Sequence, residues 1–436
     1  MTDVFVKHKE SSEDQALTRN ILYAMVAAIV LGCLYFEYGR DLGLIWFDTY
    51  ILNGVLDLVG EYFVRALKFV VVPLVMFSLI SGLTSNRDPN QVSASSGLGK
   101  RSFYTIALYL GTTLLAITLA LTLALIIDPG QGVPSDSGDE YTPPEAVPLM
   151  TVLKDFVPTN MVAALAGGNM IPVIFISIVV GISINMAGEP GRRVASLCQD
   201  INEVVIKLIL LIMTFAPYGV FALVFQAFAD KGTDFITSIA AYFLTITAGL
   251  VLQLFVVYLG IVRLFAGVSP LIFLQRMKQV MLFAFGTASS AATISLNLKN
   301  AIENFGVRKD VASFTIPLGA TVNMDGTSIM QGVAVVFIAS AFGVDLTTFQ
   351  LLEVVFLATL ASVGTAAVPS AGLVTLSVVL LQVNLPVEAI GLIIGVDRLL
   401  DMMRTAVNVA GDAAVTLAVA RKESALDDDT YNSRAS

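Results

Sequence analysis

The sequence is poor in the residues that most catalytic and metal sites use. Its 436 residues include two cysteines and one histidine. His8 precedes the first apolar run, and Cys33 and Cys198 lie in or beside apolar stretches, so no disulfide framework, thiolate metal site or histidine-based catalytic pair is indicated. Its 25 Lys and Arg against 34 Asp and Glu give a net charge of −9, which argues against a nucleic-acid partner.

Charged residues are scarce overall and absent from long stretches. They make up 14% of the chain, and 56% of the residues are hydrophobic, whereas a soluble domain is roughly a quarter charged. Uncharged runs cover residues 21–36, 103–127, 171–188, 208–229 and 235–262. Several of them approach or exceed the ~20 residues that cross a bilayer. The composition therefore predicts an all-α, multi-pass integral membrane protein in contact with lipid.

The loops between the apolar runs differ in charge. Lys and Arg recur in residues 7–19, 87–101, 192–193 and 263–278, whereas residues 128–153 carry five acids and no base. Cytoplasmic loops are the ones enriched in Lys and Arg. We therefore predict that both termini are cytoplasmic and that the chain crosses a plasma membrane, here a bacterial inner membrane, eight times. No small-residue cleavage site follows the first apolar run, so we expect the first span to be retained rather than cleaved.

The C-terminal half contains a weak internal repeat. Small residues interrupt an apolar segment at 286–290 and again at 364–372, and each interruption precedes a polar position by 36 residues: Thr287 before Asn323, and Thr365 before Asp401. Paired interruptions of this kind point to the binding site of a secondary transporter. The alternative is a pair of ordinary helices with small residues for close packing.

The last apolar segment, residues 390–419, contains a stripe of polar residues. Asp397, Asp401, Arg404, Asn408 and Asp412 are spaced 4, 3, 4 and 4 apart, so on a helix they fall within a band about 60–80° wide. Ionisable groups inside a membrane are costly and indicate function. A structural ion-pair ladder is the alternative, but the acids in the stripe outnumber the bases, and an excess buried anion needs a cation.

Two chemistries follow from these residue types. The planar fork of Arg404 matches a carboxylate, and Asp401 one turn away suits an ammonium group, so together they fit an acidic amino acid. Sodium prefers oxygen ligands, as other hard cations do, and Asp412, Asn408, Asn323 and Asp325 can supply them. The glycine in the run NMDGT at residues 323–327 indicates either an unwound helix or close helix packing.

Several motifs together resemble the glutamate transporter family, which includes the excitatory amino acid transporters and the prokaryotic sodium/aspartate symporters. They are PLGAT at residue 317, NMDGT at 323, ASS at 288, TAAVPSAG at 365 and DMMRTAVNVAGD at 401. The resemblance covers about residues 21–422. It implies inverted repeats, eight transmembrane helices, two re-entrant hairpins at about residues 271–300 and 351–381, and a homotrimer in which a transport core moves like an elevator past a fixed scaffold.

The resemblance also implies how the chain is divided. Residues 1–19 and 421–436 would be cytoplasmic tails, residues 20–100 and 131–230 the scaffold and trimer contacts, and residues 101–130 and 231–420 the transport core. The function implied is import of aspartate or glutamate coupled to co-transported sodium ions. A membrane enzyme is not expected, because no nucleophile–base pair is apparent.

The family pattern implies two sets of site residues. The residues expected to contact substrate are Ser290, Thr327, Val368, Gly372, Asp401, Arg404, Thr405 and Asn408. The residues expected to contact sodium fall into three sites: Gly319, Asn323, Asn408 and Asp412; Tyr109, Thr112, Thr113, Asn323 and Asp325; and the carbonyls of Thr321, Ser362, Val363 and Thr365 beside Met324.

Three positions narrow the resemblance. Asp401 and Asp412 are both present, whereas the dicarboxylate branch lacks both acids, and Gln331 stands where proton-coupled eukaryotic members carry a glutamate. Ala288 stands where some archaeal members have an arginine at the first hairpin tip, and Arg398 is a candidate to supply that charge. A proton-coupled glutamate or C4-dicarboxylate symporter remains the alternative function, and an ion channel is a more distant one.

Overall fold

The computed structural model describes residues 2–39, 42, 45–84, 97–131, 133, 157–167, 170–232, 234–364 and 370–433. Helices account for nearly all of these residues, and a single antiparallel bridge joins Val307 to Leu426. The predicted all-α class is therefore confirmed over the described chain.

The N-terminal half contains nine α-helices among its described residues. In chain order they are α1 (Thr2–Leu34), α2 (Ile45–Phe47), α3 (Asp57–Phe69), α4 (Val71–Thr84), α5 (Gly97–Ile127), α6 (Met161–Gly167), α7 (Met170–Met186), α8 (Glu189–Met213) and α9 (Ala216–Lys231). Wider π-helical turns extend α1 over Tyr35–Gly39 and join α2 to α3 over Asp48–Leu56.

The C-terminal half continues the series. Its helices are α10 (Asp234–Leu252), α11 (Leu259–Leu264), α12 (Pro270–Thr287), α13 (Ser290–Lys299), α14 (Lys309–Val322), α15 (Asp325–Ala341), α16 (Thr348–Gly364), α17 (Ala371–Gln382), α18 (Ile390–Lys422) and α19 (Asp428–Asn432). A π-helical segment, Gln253–Tyr258, joins α10 to α11, and another, Asn300–Asn304, follows α13.

Five helical segments of the described chain are long and apolar enough to cross a membrane. They cover residues 19–39, 45–81, 103–127, 235–264 and 309–341, and α8 with α9 makes a sixth if this pair, bent by 53°, is one span. Pro217 in the first turn of α9 accounts for the bend, because proline cannot continue the preceding helical hydrogen bonds. The polar stripe makes α18 too polar to count among these apolar segments, so the eight crossings stay a prediction.

The span at residues 309–341 is broken in its middle. α14 ends at Val322 and α15 begins at Asp325, which leaves Asn323 and Met324 unwound. The predicted unwinding is thus confirmed, but Gly326 is not its cause, because it lies within α15. A Cβ atom there would be 3.0 Å from Asn408 Oδ1 and 3.1 Å from the Arg404 Cα, so this glycine permits the close approach of α18.

Two helix–turn–helix units flank α18. α12 and α13 are separated by Ala288, which is in a left-handed conformation with φ 49°, and by Ser289, which caps α13 by accepting from the Ala292 N–H. α16 and α17 flank the second interruption, of which residues 365–369, including the expected substrate contact Val368, lie outside the described residues. α12, α13 and α17 all pack against α18.

Helix α18 is the centre of the fold. It packs against α5, α9, α10, α12–α15 and α17, and its side chains from Val407 to Ala420 are all buried. The polar groups of a helix surrounded on all sides need partners within the protein, either on the helix itself or on its neighbours. The polar stripe is therefore inside the protein, not at a lipid surface.

The segment after α18 folds back onto the protein. Tyr431 of α19 is fully buried, its ring stacks on Phe305 at 5.7 Å, and its hydroxyl donates to the Ser269 carbonyl at 2.9 Å. The Asp427 N–H donates to the Gly306 carbonyl at 3.0 Å. Residues 423–433, expected to be part of a tail, thus pack beside the start of α12.

Candidate functional site

One end of the polar stripe on α18 forms a group of four charged side chains, Asp397, Arg398, Asp401 and Arg404, called here the arginine cluster. Arg404 Nη1 donates to Asp397 Oδ1 at 2.7 Å, and Arg404 Nη2 donates to Asp401 Oδ1 at 2.9 Å. Arg398 Nη1 lies 3.7 Å from Asp401 Oδ2. All four residues are buried, so two acids and two bases balance one another inside the protein.

The second helix pair closes over this cluster. The Ser370 N–H, at the start of α17, donates to Asp401 Oδ2 at 2.9 Å. A Cβ at Gly372 would lie 3.2 Å from both Arg404 Nη2 and the Thr327 Cγ2, so the absence of a side chain lets α17 approach them. Arg404 Nε is buried and has no hydrogen-bond partner among the described residues. One donor of the guanidinium therefore remains to be satisfied.

Arg404 and Asp401 were expected to hold a substrate, and the structure pairs them with each other and with Asp397. A buried guanidinium cannot be left without an anion, because its desolvation would not be compensated. Asp397 and Arg398 were not among the site residues expected from the sequence. The place of Asp397 in the stripe, seven residues before Arg404, and the spacing of Arg398 three residues before Asp401 were the signals that could have found them.

A second polar group consists of Asp325, Asp412 and Asn323, called here the carboxylate cluster. Asp325 Oδ1 accepts from Thr113 Oγ1 at 2.6 Å, and its Oδ2 accepts from Gln253 Nε2 at 2.7 Å and from Tyr258 Oη at 2.8 Å. Asp325 is fully buried. Neutral donors alone thus hold this carboxylate, so its charge is not cancelled.

Gln253 and Tyr258 were missed by sequence reasoning. They are five residues apart, which on an ordinary α-helix places side chains about 140° from each other. The segment that contains them is a π-helix, and its wider turn brings both side chains to Asp325. Such local π-helical turns are frequent at functional sites, but the residue pattern alone does not reveal them.

Asp412 lies where α14, α5 and α18 meet. Asn323 Nδ2 donates to Asp412 Oδ1 at 2.9 Å and to the Asn408 carbonyl at 3.1 Å. A Cβ at Gly319 would be 2.5 Å from both Asp412 Oδ1 and the Tyr109 Oη, so only glycine leaves this space open. Asn323 Oδ1 is buried and accepts no hydrogen bond from the described residues.

The carboxylate cluster has no basic partner in the described part of the chain. The buried ion pairs of α18 involve Asp397 and Asp401, whereas neither Asp325 nor Asp412 forms an ion pair with a described residue. Two buried carboxylates without a counter-charge are strongly unfavourable. Together with the unsatisfied oxygen of Asn323, they supply the hard oxygen ligands that suit a small cation. The arrangement can therefore take up positive charge at the middle of a broken helix.

Several of the remaining expected residues make hydrogen bonds of their own. Thr405 Oγ1 donates to the Asp401 carbonyl at 2.8 Å, and Asn408 Oδ1 accepts from the Gly326 N–H at 2.7 Å. Thr112 Oγ1 donates to the Tyr109 carbonyl at 2.9 Å. Ser290 and Thr327 are buried at the first turns of α13 and α15.

The expected third sodium site is only partly described. Thr321 Oγ1 donates to the Leu318 carbonyl at 3.0 Å, and Ser362 Oγ donates to the Thr359 carbonyl at 2.8 Å. Val363 is described as backbone in α16, while Thr365, like the expected substrate contact Val368, lies outside the described residues. The described residues therefore do not define the geometry of this third site.

Gln331 is fully buried on α15 and donates through Nε2 to Thr375 Oγ1 of α17 at 2.9 Å. A neutral amide in this position links the second helix pair to the core without a group that titrates. The sequence expectation that this position carries no proton is consistent with the amide chemistry.

Comparison with known proteins gives the same assignment over most of the chain. The family model "Sodium:dicarboxylate symporter family" matches residues 17–422. The "Proton/glutamate-aspartate symporter" of Escherichia coli is 33% identical over 424 residues, covering 94% of each chain. The "Proton/sodium-glutamate symport protein" of Bacillus subtilis is 32% identical over 93% of this chain and 94% of its own.

A relative with a different named cargo is nearly as similar. The "C4-dicarboxylate transport protein" of Bacillus subtilis is 30% identical over 94% of this chain and 96% of its own. The match to the family model, the coverage of these relatives and the buried polar clusters on α18 lead to one conclusion: this chain belongs to the sodium:dicarboxylate symporter family and is an integral, multi-pass membrane protein.

Proposed function

We propose that this protein is a secondary active symporter that imports an acidic amino acid, aspartate or glutamate, together with sodium ions. The observation that carries the proposal is the pair of buried carboxylates, Asp325 and Asp412, without a basic partner among the described residues. A mid-membrane site with excess negative charge calls for a cation. The adjacent arginine cluster supplies a separate place for an anion.

The substrate is expected to enter through an exchange of ion pairs. The side-chain carboxylate of the substrate accepts two parallel hydrogen bonds from the Arg404 guanidinium, which in this structure contacts Asp401 at 2.9 Å. The ammonium group of the substrate pairs with the carboxylate of Asp401. In this proposal Ser290, Thr327, Val368, Gly372, Thr405 and Asn408 complete the substrate site. Because Asp401 exchanges one cation for another, its charge stays compensated.

Sodium ions are proposed to bind at the carboxylate cluster. One ion would use Asp412 with the oxygens of Asn323, Asn408 and Gly319, and another would use Asp325 with those of Tyr109, Thr112, Thr113 and Asn323. Asn408 serves both ligands, because its side chain accepts from Gly326 and its carbonyl accepts from Asn323. Binding of sodium and substrate should therefore be coupled, and coupling is reciprocal.

The proposal extends to the assembly and the transport cycle. We expect a homotrimer, an elevator-type movement of the core past the scaffold, cytoplasmic termini, an inner-membrane location and no enzymatic activity. Access to the site is the part of this cycle for which a contact gives support, because Ser370 of the second pair contacts Asp401 directly. A contact between a helix tip and the site can open or close access to it.

A proton-coupled glutamate or C4-dicarboxylate symporter is the alternative, and the printed names of the relatives favour it in part. Unpaired buried carboxylates also accept protons. The structure favours sodium because several oxygens converge beside Asp412, including the unsatisfied Asn323 Oδ1, whereas a proton needs only one acceptor.

The deciding experiment uses purified protein in proteoliposomes. An inward sodium gradient at equal pH should drive accumulation of labelled aspartate. An inward proton gradient at equal sodium and clamped voltage should not. Accumulation driven by the proton gradient alone would reject the sodium assignment and favour the alternative. Saturation of the sodium-driven flux separates a carrier from a channel.

A further inference from the structure

Four buried hydroxyl groups lie between the carboxylate cluster and the end of the protein at which α5 and α14 begin and α18 ends. These three helices pack against one another there. The hydroxyls, called here the hydroxyl column, belong to side chains that are 0% exposed: Thr105, Tyr109, Thr315 and Thr416. Polar side chains inside a membrane protein mark either internal packing contacts or ion pathways, and the contacts of these hydroxyls distinguish the two.

The hydroxyl column begins at the carboxylate cluster. Tyr109 Oη donates to the Thr315 carbonyl at 3.0 Å, and Thr416 Oγ1 lies 2.7 Å from the Asp412 carbonyl oxygen. A Cβ atom at Gly319 would be 2.5 Å from both Tyr109 Oη and Asp412 Oδ1, so the phenol oxygen and the carboxylate are neighbours. An ion held at Asp412 would therefore have further oxygen atoms next to it along the column.

The oxygens of the column keep lone pairs that no hydrogen bond uses. Thr315 Oγ1 and Thr416 Oγ1 are 2.7 Å apart, and each also lies 3.0 Å or less from a carbonyl of its own helix. Two hydroxyl protons cannot serve these three contacts at once. Thr105, one turn before Tyr109 on α5, is buried and has no hydrogen-bond partner among the described residues. Buried hydroxyls normally have a partner, so Thr105 leaves an oxygen open to a transient ligand.

Three charged side chains close the far end of the column and are called here the ion-pair cap. Arg101, one turn before Thr105 on α5, donates through Nε to Glu423 Oε1 at 2.7 Å and through Nη2 to Asp310 Oδ2 at 3.1 Å. Asp310 lies in the first turn of α14, and Glu423 directly follows α18. The Arg101 side chain is 14% exposed and that of Asp310 is 47% exposed. One guanidinium thus joins the ends of the three helices where the column meets solvent.

We propose that the hydroxyl column is the route by which sodium passes between the carboxylate cluster and the side of the membrane that carries the C-terminus, with the ion-pair cap as its gate. The inference rests on the proposed function and adds a path for the ion. Along the column sodium exchanges its hydration shell for protein oxygens in steps, and the carboxylates of Asp310 and Glu423 attract it to the mouth. In this structure Arg101 neutralises both acids, so the route is closed.

The route separates release of the ion from release of the amino acid. The second helix pair contacts the arginine cluster through Ser370 and Asp401, whereas the column starts at Asp412, about three helical turns further along α18. Sodium can then leave through the column while the second helix pair stays closed. Arg101 and the second helix pair would control the two events independently.

The test asks whether a small cation reaches the column from one side of the membrane only. Thr105→Cys places a thiol between Tyr109 and Arg101, and silver ion, a monovalent cation close to sodium in size, reacts with thiols. Silver nitrate is added to one face of sealed, oriented vesicles in chloride-free buffer, and sodium-dependent exchange of labelled aspartate is followed. Silver on the C-terminal face should inactivate Thr105→Cys at least about tenfold faster than the parent, whose native Cys33 and Cys198 give the background rate.

Saturating sodium should slow this reaction, because it occupies the same oxygens. Ala120→Cys is the matched control, since Ala120 is also 0% exposed on α5 but lies beyond the carboxylate cluster; it should react at the background rate from that face. Thr315→Cys puts the thiol in the column from α14 and replaces Thr105→Cys if that variant does not fold.

Each other outcome has a distinct meaning. A column thiol that reacts at the background rate, reacts only from the opposite face or is not protected by sodium overturns the route. Equal reaction of Ala120→Cys overturns it as well, and both results leave the proposed function intact. A parent without sodium-dependent aspartate exchange overturns the proposed function itself, and this inference with it.

A second pair of variants tests the gate. Arg101→Gln frees the two carboxylates at the mouth and should raise the rate of silver reaction at Thr105→Cys by about threefold or more. Arg308→Gln is the matched control, because Arg308 also pairs with Asp310, with its Nε 2.6 Å from Asp310 Oδ1, but is 52% exposed. It should change the rate little. Equal acceleration by both variants would mean that surface charge alone sets the rate, and would overturn the assignment of Arg101 as the gate.

Discussion

The arginine cluster on α18 and the carboxylate cluster between α15 and α18 differ in how their charges are balanced. In the arginine cluster, Arg404 contacts Asp397 at 2.7 Å and Asp401 at 2.9 Å. In the carboxylate cluster, Asp325 accepts from Thr113, Gln253 and Tyr258, which carry no charge. Both clusters are buried, so the difference does not come from exposure to water.

This difference in charge balance suits the two clusters to different kinds of ligand. A cluster that already contains its own cations can exchange one for a substrate group, and so it suits an anionic or zwitterionic cargo. A cluster with excess carboxylate lacks a cation and suits sodium. Asn408 lies between the two, with its side chain bonded to Gly326 and its carbonyl to Asn323, so it is placed to link them.

The largest expected effect is a difference in stability between two variants, each of which removes one carboxylate from one of the clusters. Asp397→Asn leaves Arg404 short of a buried partner and should lower the free energy of unfolding of the sodium-free protein by about 3–5 kcal/mol. Asp412→Asn removes a buried charge that has no basic partner, so it should leave that stability unchanged or raise it. Unfolding in detergent without sodium measures both, and equal losses would erase the distinction between the clusters.

The response of the unfolding temperature to sodium is a further test of the same two variants. Ligands that bind only the folded protein raise its stability by mass action. Added sodium should therefore raise the unfolding temperature of the parent and of Asp397→Asn, but much less that of Asp412→Asn. If the sodium response of Asp412→Asn overlays that of the parent, Asp412 is structural.

The next largest effect concerns the anion-binding side of the comparison. Arg404→Cys removes charge-assisted contacts of roughly 1.5–3 kcal/mol, so aspartate affinity should fall by about tenfold or more while small neutral amino acids gain. Competition binding with labelled aspartate measures the loss.

Arg404→Lys is the control for charge in that experiment, because it keeps the cation but loses the planar fork. It should preserve folding better than Arg404→Cys and recover only part of the affinity. Unchanged aspartate affinity in Arg404→Cys would exclude the proposed role of this arginine.

A smaller effect is expected from filling the space beside Asp412. A Cβ at Gly319 would lie 2.5 Å from Asp412 Oδ1 and the Tyr109 Oη, so Gly319→Ala must displace a proposed sodium ligand at a cost of about 1–3 kcal/mol. Sodium affinity should fall more than stability does. Gly260→Ala is the matched control, because no described atom lies within 4 Å of a Cβ there. Equal sodium titrations of the two variants would contradict the placement.

The smallest effect gives a baseline for an ion pair outside the membrane. Arg421 Nη1 donates to Asp428 Oδ2 at 2.9 Å, and this hydrogen bond lowers the pKa of the Asp428 carboxyl below its ordinary value. The Asp428 side chain is 54% exposed, so the pair should contribute only about 0.2–1 kcal/mol.

Its pH dependence has a definite sign. Because the folded pKa is the lower one, the contribution is complete above the unfolded pKa of about 4 and disappears as the pH falls through the folded value. Asp428→Asn should therefore differ slightly from the parent at pH 7 and converge with it in acid. A destabilisation as large as that of Asp397→Asn would show that exposure does not separate the two ion pairs.

The polar stripe was predictable because helical periodicity alone determines which residues of one helix share a face. Asp397, Asp401, Arg404, Asn408 and Asp412 are all buried on α18 as expected. An unwound helix was one of two interpretations of the NMDGT run that the sequence allowed, and the structure places the break at Asn323 and Met324, before Gly326. Local chemistry was therefore enough for the stripe but not for the cause of the break.

Contacts between helices were not predictable in the same way. Gln253 and Tyr258 reach Asp325 only because a π-helical segment turns both toward it, and Ser370 reaches Asp401 across 31 positions of sequence. Gly326 was expected to mark the break, but its place is set by the approach of Arg404 and Asn408. Such contacts depend on distances between elements, which a single sequence does not specify.

The sequence by itself determined that this chain is helical, that it belongs in a membrane and that one helix carries an anion-binding and a cation-binding chemistry, because hydropathy and periodicity act within one segment. Only the tertiary structure decided which groups from other helices surround those charges. It brings the Ser370 N–H to Asp401, places Thr113, Gln253 and Tyr258 around Asp325, and places Asn323 beside Asp412, whereas Arg404 pairs with acids of its own helix. The physical reason is that a buried charge is governed by whichever groups lie within a few ångströms, and packing brings those groups together from distant parts of the chain.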